Sequence, residues 1–255
     1  MQVLSHPSSR GLTWLTAGIR IMGRQPVALL MLVFIQLLLI ILPAISLKFI
    51  GAGITAALIP VLYVGLMTAI RATERGEDPN PMMLFTTFQP EANGIWKPLM
   101  LLGLISGLLT LVAYSIAQWV MPMPDVSGIA EQVSGEEYMQ LAMAKIYPSM
   151  LATLFSVPIQ MAFWFAPMLV AWHGQSIGQS IFYSWMAVVR NLGAFTMLFL
   201  GWLGVILVVN IALTLITGLL GIPLSLLTVM LAPVLLVILT GAYCSFWVTY
   251  RDVIN

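Results

Sequence analysis

Apolar residues run almost unbroken along most of this chain, and short polar clusters divide them into stretches near 27–47, 50–70, 98–120, 149–172, 193–216 and 223–248. Each is about 20 residues or longer, enough to cross a hydrocarbon core at 1.5 Å rise per residue. Six membrane-crossing helices are therefore predicted, because only a helix satisfies its own backbone hydrogen bonds in lipid without closing a barrel. The segment 191–250 carries no Asp, Glu, Lys or Arg, yet it is long enough for two crossings if it turns near Gly218, Gly221 and Pro223. Glycine and proline there predict a tight hairpin.

Polar positions place the ends of these spans. Arg10, Arg20, Arg24, Arg71, Arg75, Lys97, Arg190 and Arg251 fall on one side of the membrane, and Lys48 and Lys145 fall on the other. Since short cytoplasmic loops retain basic residues, both termini, the 71–97 loop and the 173–192 loop are expected in the cytoplasm, with the 121–148 loop outside. Trp14, Trp96, Trp119, Tyr147, Trp172, Trp185, Trp247 and Tyr250 lie near the expected span ends, where aromatic rings anchor at the interface.

A threefold pattern overlies the six spans. Three units, 10–75, 80–173 and 180–252, each read as an amphipathic segment followed by a hairpin of two spans. The leading segments are Leu12–Gln25, Met82–Phe88 with Trp96 and Lys97, and Phe182–Asn191. The second span of each hairpin contains a proline close before a leucine, at Pro60, Pro167 and Pro233, which suggests three bent helices in equivalent positions. Leu12–Gln25 suits a helix lying in the interface, with Leu12, Leu15, Ile19 and Met22 on one face and Arg20 and Arg24 reaching for headgroups. For 181–191 an interfacial helix and a cytoplasmic extension of the next span fit equally.

Composition narrows the function. The 255 residues are 60% hydrophobic and 7% charged, with mean hydropathy +1.01, which excludes a water-soluble domain. A formal net charge of +1 gives no reason to expect a nucleic-acid partner. The single cysteine, Cys244, permits neither an intrachain disulfide nor a thiolate cluster. His6 and His173 have no acid or cysteine near them in sequence, so no metal and no cofactor is expected. The 17 methionines, among them Met121, Met123, Met139 and Met143, have no regular ligand spacing for copper and suit pliable packing. In the 121–148 loop, Asp125, Glu131, Glu136 and Glu137 read as a solvated face. Ser134 with Glu137 has the spacing of a capping box, opening a short helix that rests on the membrane to about Tyr147.

None of the nine acids lies within an expected span, so the buried ionisable group that pumps and proton-coupled carriers use is missing, as are the groups an intramembrane enzyme would need. The polar residues at membrane depth are neutral, among them Gln36, Tyr63, Ser106, Tyr114, Gln160, Asn210 and Thr228. Gln36, Gln160 and Asn210 are the candidate functional positions, either as hydrogen-bonding links between helices or as the lining of a path. Gly103 with Gly107, and Gly53 with Ala57, form small-residue faces suited to close helix contact. Trp14, Arg20, Arg24, His173, Trp185 and Arg190 are the candidate interfacial residues.

Trp14, Gly18, Ile19, Arg20, Arg24, Gln25 and Pro26, together with the stretch Phe165 to His173 and then Ser184, Trp185, Arg190 and Asn191, resemble the signature stretches of a family of uncharacterised proteobacterial integral membrane proteins with six predicted spans. More loosely, the layout is similar to the membrane domain found beside some glycerophosphodiester phosphodiesterases, whose catalytic domain is absent here. The resemblance implies a bacterial inner-membrane address and no catalytic residues. The expectation is an all-α membrane protein forming one transmembrane domain over 1–255. It would act without catalysis as an accessory, scaffolding or lipid-interacting component, with membrane lipids and another membrane protein or a second copy as partners. A transporter or flippase for a neutral or amphipathic solute is the alternative. A polar-lined cavity around Gln160 or Asn210 would favour it, and a dry packed centre would reject it.

Overall fold

The computed structural model describes residues 2–122, 135–221 and 224–254, with backbone alone for 48, 49, 135–145 and 224–230. The described residues are helical apart from short links and one isolated pairing of Val3 with Ile254. In chain order the helices are α1 (Arg10–Met22), α2 (Pro26–Ser46), α3 (Lys48–Glu74), α4 (Trp96–Val120), α5 (Gly135–Phe163), α6 (Ala166–His173), α7 (Ile177–Arg190), α8 (Leu192–Leu219) and α9 (Leu224–Val253). Two 3₁₀ segments, Pro81–Phe88 and Pro90–Ala92, lie between α3 and α4. Six helices, with α5 and α6 acting together, are long and apolar enough to cross a membrane, at the six places the hydropathy pattern marks.

Hairpins join the spans in pairs. Arg24 donates to the last carbonyl of α3, at Glu74, so the start of α2 and the end of α3 share one side. A cation there satisfies a carbonyl that the helix leaves unpaired. We call this the terminal side, because both chain ends meet on it: Leu4 N–H donates to the Val253 carbonyl at 2.9 Å, and Arg10 pairs with Asp252 at 2.9 Å. Between α8 and α9 the backbone turns at Gly221, whose φ of +63° suits a residue without Cβ.

The packing is uneven along the membrane normal. Buried side chains concentrate in the terminal half: Leu29, Leu32 and Val33 early in α2, Leu62 to Ala72 late in α3, Phe165 to Val170 around α6, and Cys244 to Val253 late in α9. Toward the far side the helices present lipid-facing residues, and α8 is the barest span, with 6% of its apolar window buried. Each leading segment packs on the closing span of the hairpin before it. The first 3₁₀ segment lies on α3, α7 lies on α5 and α6, and α1 closes the circle by lying on α9 and α8. Small groups permit these approaches. Gly65 meets the Leu84 carbonyl, Gly18 meets the Ser245 backbone, and the Ser184 hydroxyl reaches Met161 and Phe165.

Several local expectations change. The buried face of α1 is Gly11, Trp14, Leu15, Gly18 and Ile21, whereas Leu12 and Ile19 are exposed. The two glycines let the helix approach α8 and α9, so the protein-facing stripe is the one with small residues and not the most apolar one. Helix α5 runs unbroken from Gly135 through Pro148 to Phe163, so no separate surface helix ends near Tyr147. The break falls instead at Trp164 and Phe165. There Ser184 Oγ accepts from Phe165 N–H at 2.9 Å and donates to the Met161 carbonyl at 3.1 Å, and Pro167, which has no N–H to satisfy, opens α6. Such a break is tolerable at membrane depth because Phe165 is wholly buried in protein. Helix α7 is distinct from α8, separated at Asn191, and exposes Phe182, Trp185 and Val189 as an interfacial helix does. Met123, Asp125, Glu131 and Ser134 lie outside the described residues, as do the side chains of Lys48, Glu136, Glu137, Met139, Met143, Lys145 and Thr228.

Candidate functional site

The candidate site is a cleft of about 450 Å³ within the membrane-spanning region, bounded by α3, α4, α5, α6 and α9. Its walls are mainly apolar and aromatic, with Phe163, Trp164 and Phe246 among them, and its polar groups are Tyr63, Ser106, Thr110, Gln160 and Tyr243. Close contact of α3 with α4 forms one edge. Gly103 sits against the Ala56 carbonyl and Gly107 against the Ala56 methyl, so the Gly103–Gly107 face is a true helix contact, whereas Gly53 faces open space. The opposite edge is an aromatic stack in which Trp164 meets Phe246 edge-to-face at 4.4 Å and Phe195 at 5.7 Å. The Trp164 indole N–H is buried and has no acceptor among the described residues. Below the cleft, on the terminal side, Leu66, Met67, Leu169 and Cys244 are fully buried and close its floor.

Of the three candidate polar positions, Gln160 alone lines this cleft. Gln36 is buried on α2 with its carbonyl oxygen unpaired, and Asn210 is exposed on α8. The three are not brought together.

The interfacial candidates also separate. Trp14 is fully buried, and its indole N–H donates to Asp252 at 3.0 Å, which makes it a core residue and not a lipid anchor. Trp247 and Tyr250 are likewise buried: Trp247 donates to Glu74 at 2.7 Å, and Tyr250 OH lies 2.9 Å from His173 Nε2. These rings turn inward because acids and a histidine at the helix ends give their polar edges partners within the protein. Arg20, Arg24, Trp185 and Arg190 remain exposed, as do Trp119 and Tyr147.

One signal in the chain was not used by the hydropathy reading. Each closing span carries an aromatic residue eight positions before a basic one: Tyr63 and Arg71, Phe165 and His173, Tyr243 and Arg251. Tyr63 and Tyr243 stand at the cleft with ring centroids 6.2 Å apart, and Phe165 packs on Tyr250. Measured from these basic residues, Pro60, Pro167 and Pro233 lie eleven, six and eighteen positions back, so the prolines are not at equivalent depths. Thr110 and Trp164 enter the site through packing and not through any motif, whereas Tyr243 is reached by its spacing from Arg251.

Over 254 residues the chain is 31% identical to a Burkholderia thailandensis protein named as a probable inner membrane protein, an alignment covering 98% of this chain and 93% of that one. No family model matches the chain, and no solved structure matches it. The looser likeness to the phosphodiesterase membrane domain therefore has no support, whereas a multi-pass inner-membrane protein is what the relative and the six apolar helices both indicate.

Proposed function

Since the chain belongs to the family of that Burkholderia thailandensis inner membrane protein, we propose that it is a non-enzymatic, lipid-handling component of the bacterial inner membrane that accommodates the apolar part of an amphipathic molecule in its cleft. The observation that carries this reading is the cleft itself: an apolar and aromatic wall with a few neutral polar groups, at a depth where acyl chains are the prevailing neighbours. Gln160, Ser106 and the two tyrosines offer hydrogen bonds to an ester or hydroxyl, and among the described residues no charged side chain lines the space to demand a counter-ion.

Transport or flipping of such a molecule is the second reading. It is favoured by the polar lining at Gln160 and by the asymmetry of a bundle tight on the terminal side and looser on the far side. An accessory role beside another membrane protein is favoured by the bare face of α8, where Asn210 is an exposed amide among apolar neighbours. The division into units 10–75, 80–173 and 180–252 is supported by the circular packing of leading segments on preceding hairpins and by the recurring aromatic-to-basic spacing. The cytoplasmic placement of both termini rests on the basic residues gathered there.

Ser106→Trp fills the cleft with an indole. Native mass spectrometry of the full chain released from mild detergent is expected to show a bound lipid in the natural protein and its loss in this variant, with the melting temperature kept. A natural protein that emerges free of lipid, or a variant that retains it, would sink the reading.

A further inference from the structure

The same three closing spans that wall the cleft end in a second cavity on the terminal side, of about 410 Å³, lined by Arg71, Arg75, Trp172, His173, Trp247 and Arg251 with Glu74, Tyr250 and Ile254. Arg71, His173 and Arg251 occupy the corresponding positions of the three spans, so the recurrent spacing brings one basic residue from each to a single place. Arg251 is already engaged by Glu74 and Asp252, and Glu74 also accepts from Trp247. Arg71 differs. Its guanidinium carbon lies 5.6 Å from the Trp172 ring centre and 6.0 Å from that of Trp247, and among the described residues no carboxylate or other hydrogen-bond acceptor meets it. Ring faces hold a guanidinium in place but leave its in-plane N–H donors free. Three arginines face one carboxylate in this lining, so the cavity has an excess of positive charge.

We propose that this cavity binds a phosphate group, with Arg71 as the principal ligand, Arg75 as the second cation and the His173–Tyr250 pair as a neutral contact. Arginine matches phosphate because its fork of donors meets two oxygens at once, and a phosphate bound here supplies the acceptors that Arg71 lacks. From Tyr63 at the cleft to Arg71 is eight residues of α3, about 12 Å of helix, and the fully buried Leu66, Met67 and Leu169 lie between, so the cavity is a second site and not a continuation of the cleft. The inference goes beyond the lipid-handling reading by adding a site for a phosphate group on the terminal side. A phospholipid headgroup and a soluble phosphate ester offer the same chemistry, and the experiment separates them.

The full-length protein in a maltoside detergent, which holds no phosphate, receives either phosphatidylglycerol or glycerol 3-phosphate, and binding is followed for the natural chain, Arg71→Gln, Arg71→Lys and Lys97→Gln. Arg71→Gln is expected to weaken binding about tenfold or more, Arg71→Lys less because the charge stays, and Lys97→Gln not at all. If Arg71→Gln does not fold, Arg75→Gln together with the lysine variant carries the test. Binding of either phosphate compound that depends on Arg71 supports the site. Soluble phosphate bound with no lipid in the cleft would leave this inference standing and overturn the lipid-handling reading. Binding indifferent to these arginines, or no binding of either compound, would overturn the inference.

Discussion

At the residue scale the most demanding position is Asp252. Its carboxylate accepts from Arg10 at 2.9 and 3.2 Å, from Trp14 at 3.0 Å and from Arg251 at 3.0 and 2.9 Å, so it joins the first helix to the last. Asp252→Ala leaves the buried Trp14 N–H without an acceptor as well as removing charge-assisted bonds. It is expected to cost about 2–3 kcal/mol, read as a lowered melting temperature in detergent. An unchanged melting temperature would show that this network is ornamental. None of it is visible from the chain alone: Asp252 sits in a polar tail after an apolar run, and only the fold brings a residue from the first helix to it. Asn191 behaves in the same way, with its amide donating to Leu4 and Ala187 at 2.8 and 2.9 Å and its oxygen accepting from His6 at 2.8 Å.

At the element scale the hydropathy pattern located all six spans, because the cost of unpaired peptide groups in lipid leaves little freedom over where a helix begins and ends. It could not tell which face of a leading segment meets protein. For α1 the informative residues were Gly11 and Gly18, which carry almost no hydrophobic weight yet set how closely backbones approach. Gly18→Leu and Gly65→Leu are expected to destabilise by about 1–3 kcal/mol, since each places atoms against backbone that cannot move aside. Gly53→Leu, on an open surface, is expected to have no such effect. Equal melting temperatures for all three would refute the close-packing account. The break between α5 and α6 is half legible: Pro167 marks a bend in that span, but the serine that satisfies the broken backbone lies on another helix and leaves no sign in the local sequence.

At the scale of the whole molecule, half of the site was legible. Tyr63, Ser106 and Gln160 were already marked as neutral polar groups at membrane depth, and all three line the cleft. Thr110 and Trp164 carry no such mark, because a lone threonine or tryptophan in an apolar run gives no sign of what it will face, and Tyr243 is marked only by its spacing from Arg251. Cys244 is fully buried, so the natural chain is expected to resist a membrane-impermeant maleimide, and exposed positions can be tested one at a time in a Cys244→Ala background. Glu77→Cys should label only from the cytoplasmic face and Trp119→Cys only from the other. The reverse pattern would invert the orientation inferred from the basic residues.

The pairing of Val3 with Ile254 and the seating of α1 on α8 and α9 have a consequence for biosynthesis. Helix α1 leaves the ribosome long before its partners exist, so Trp14 and its small-residue stripe must wait, uncovered, through the insertion of five spans. The hairpin of α8 and α9 is what gives the first helix its place, and the ring of segments locks only once that hairpin has entered the membrane.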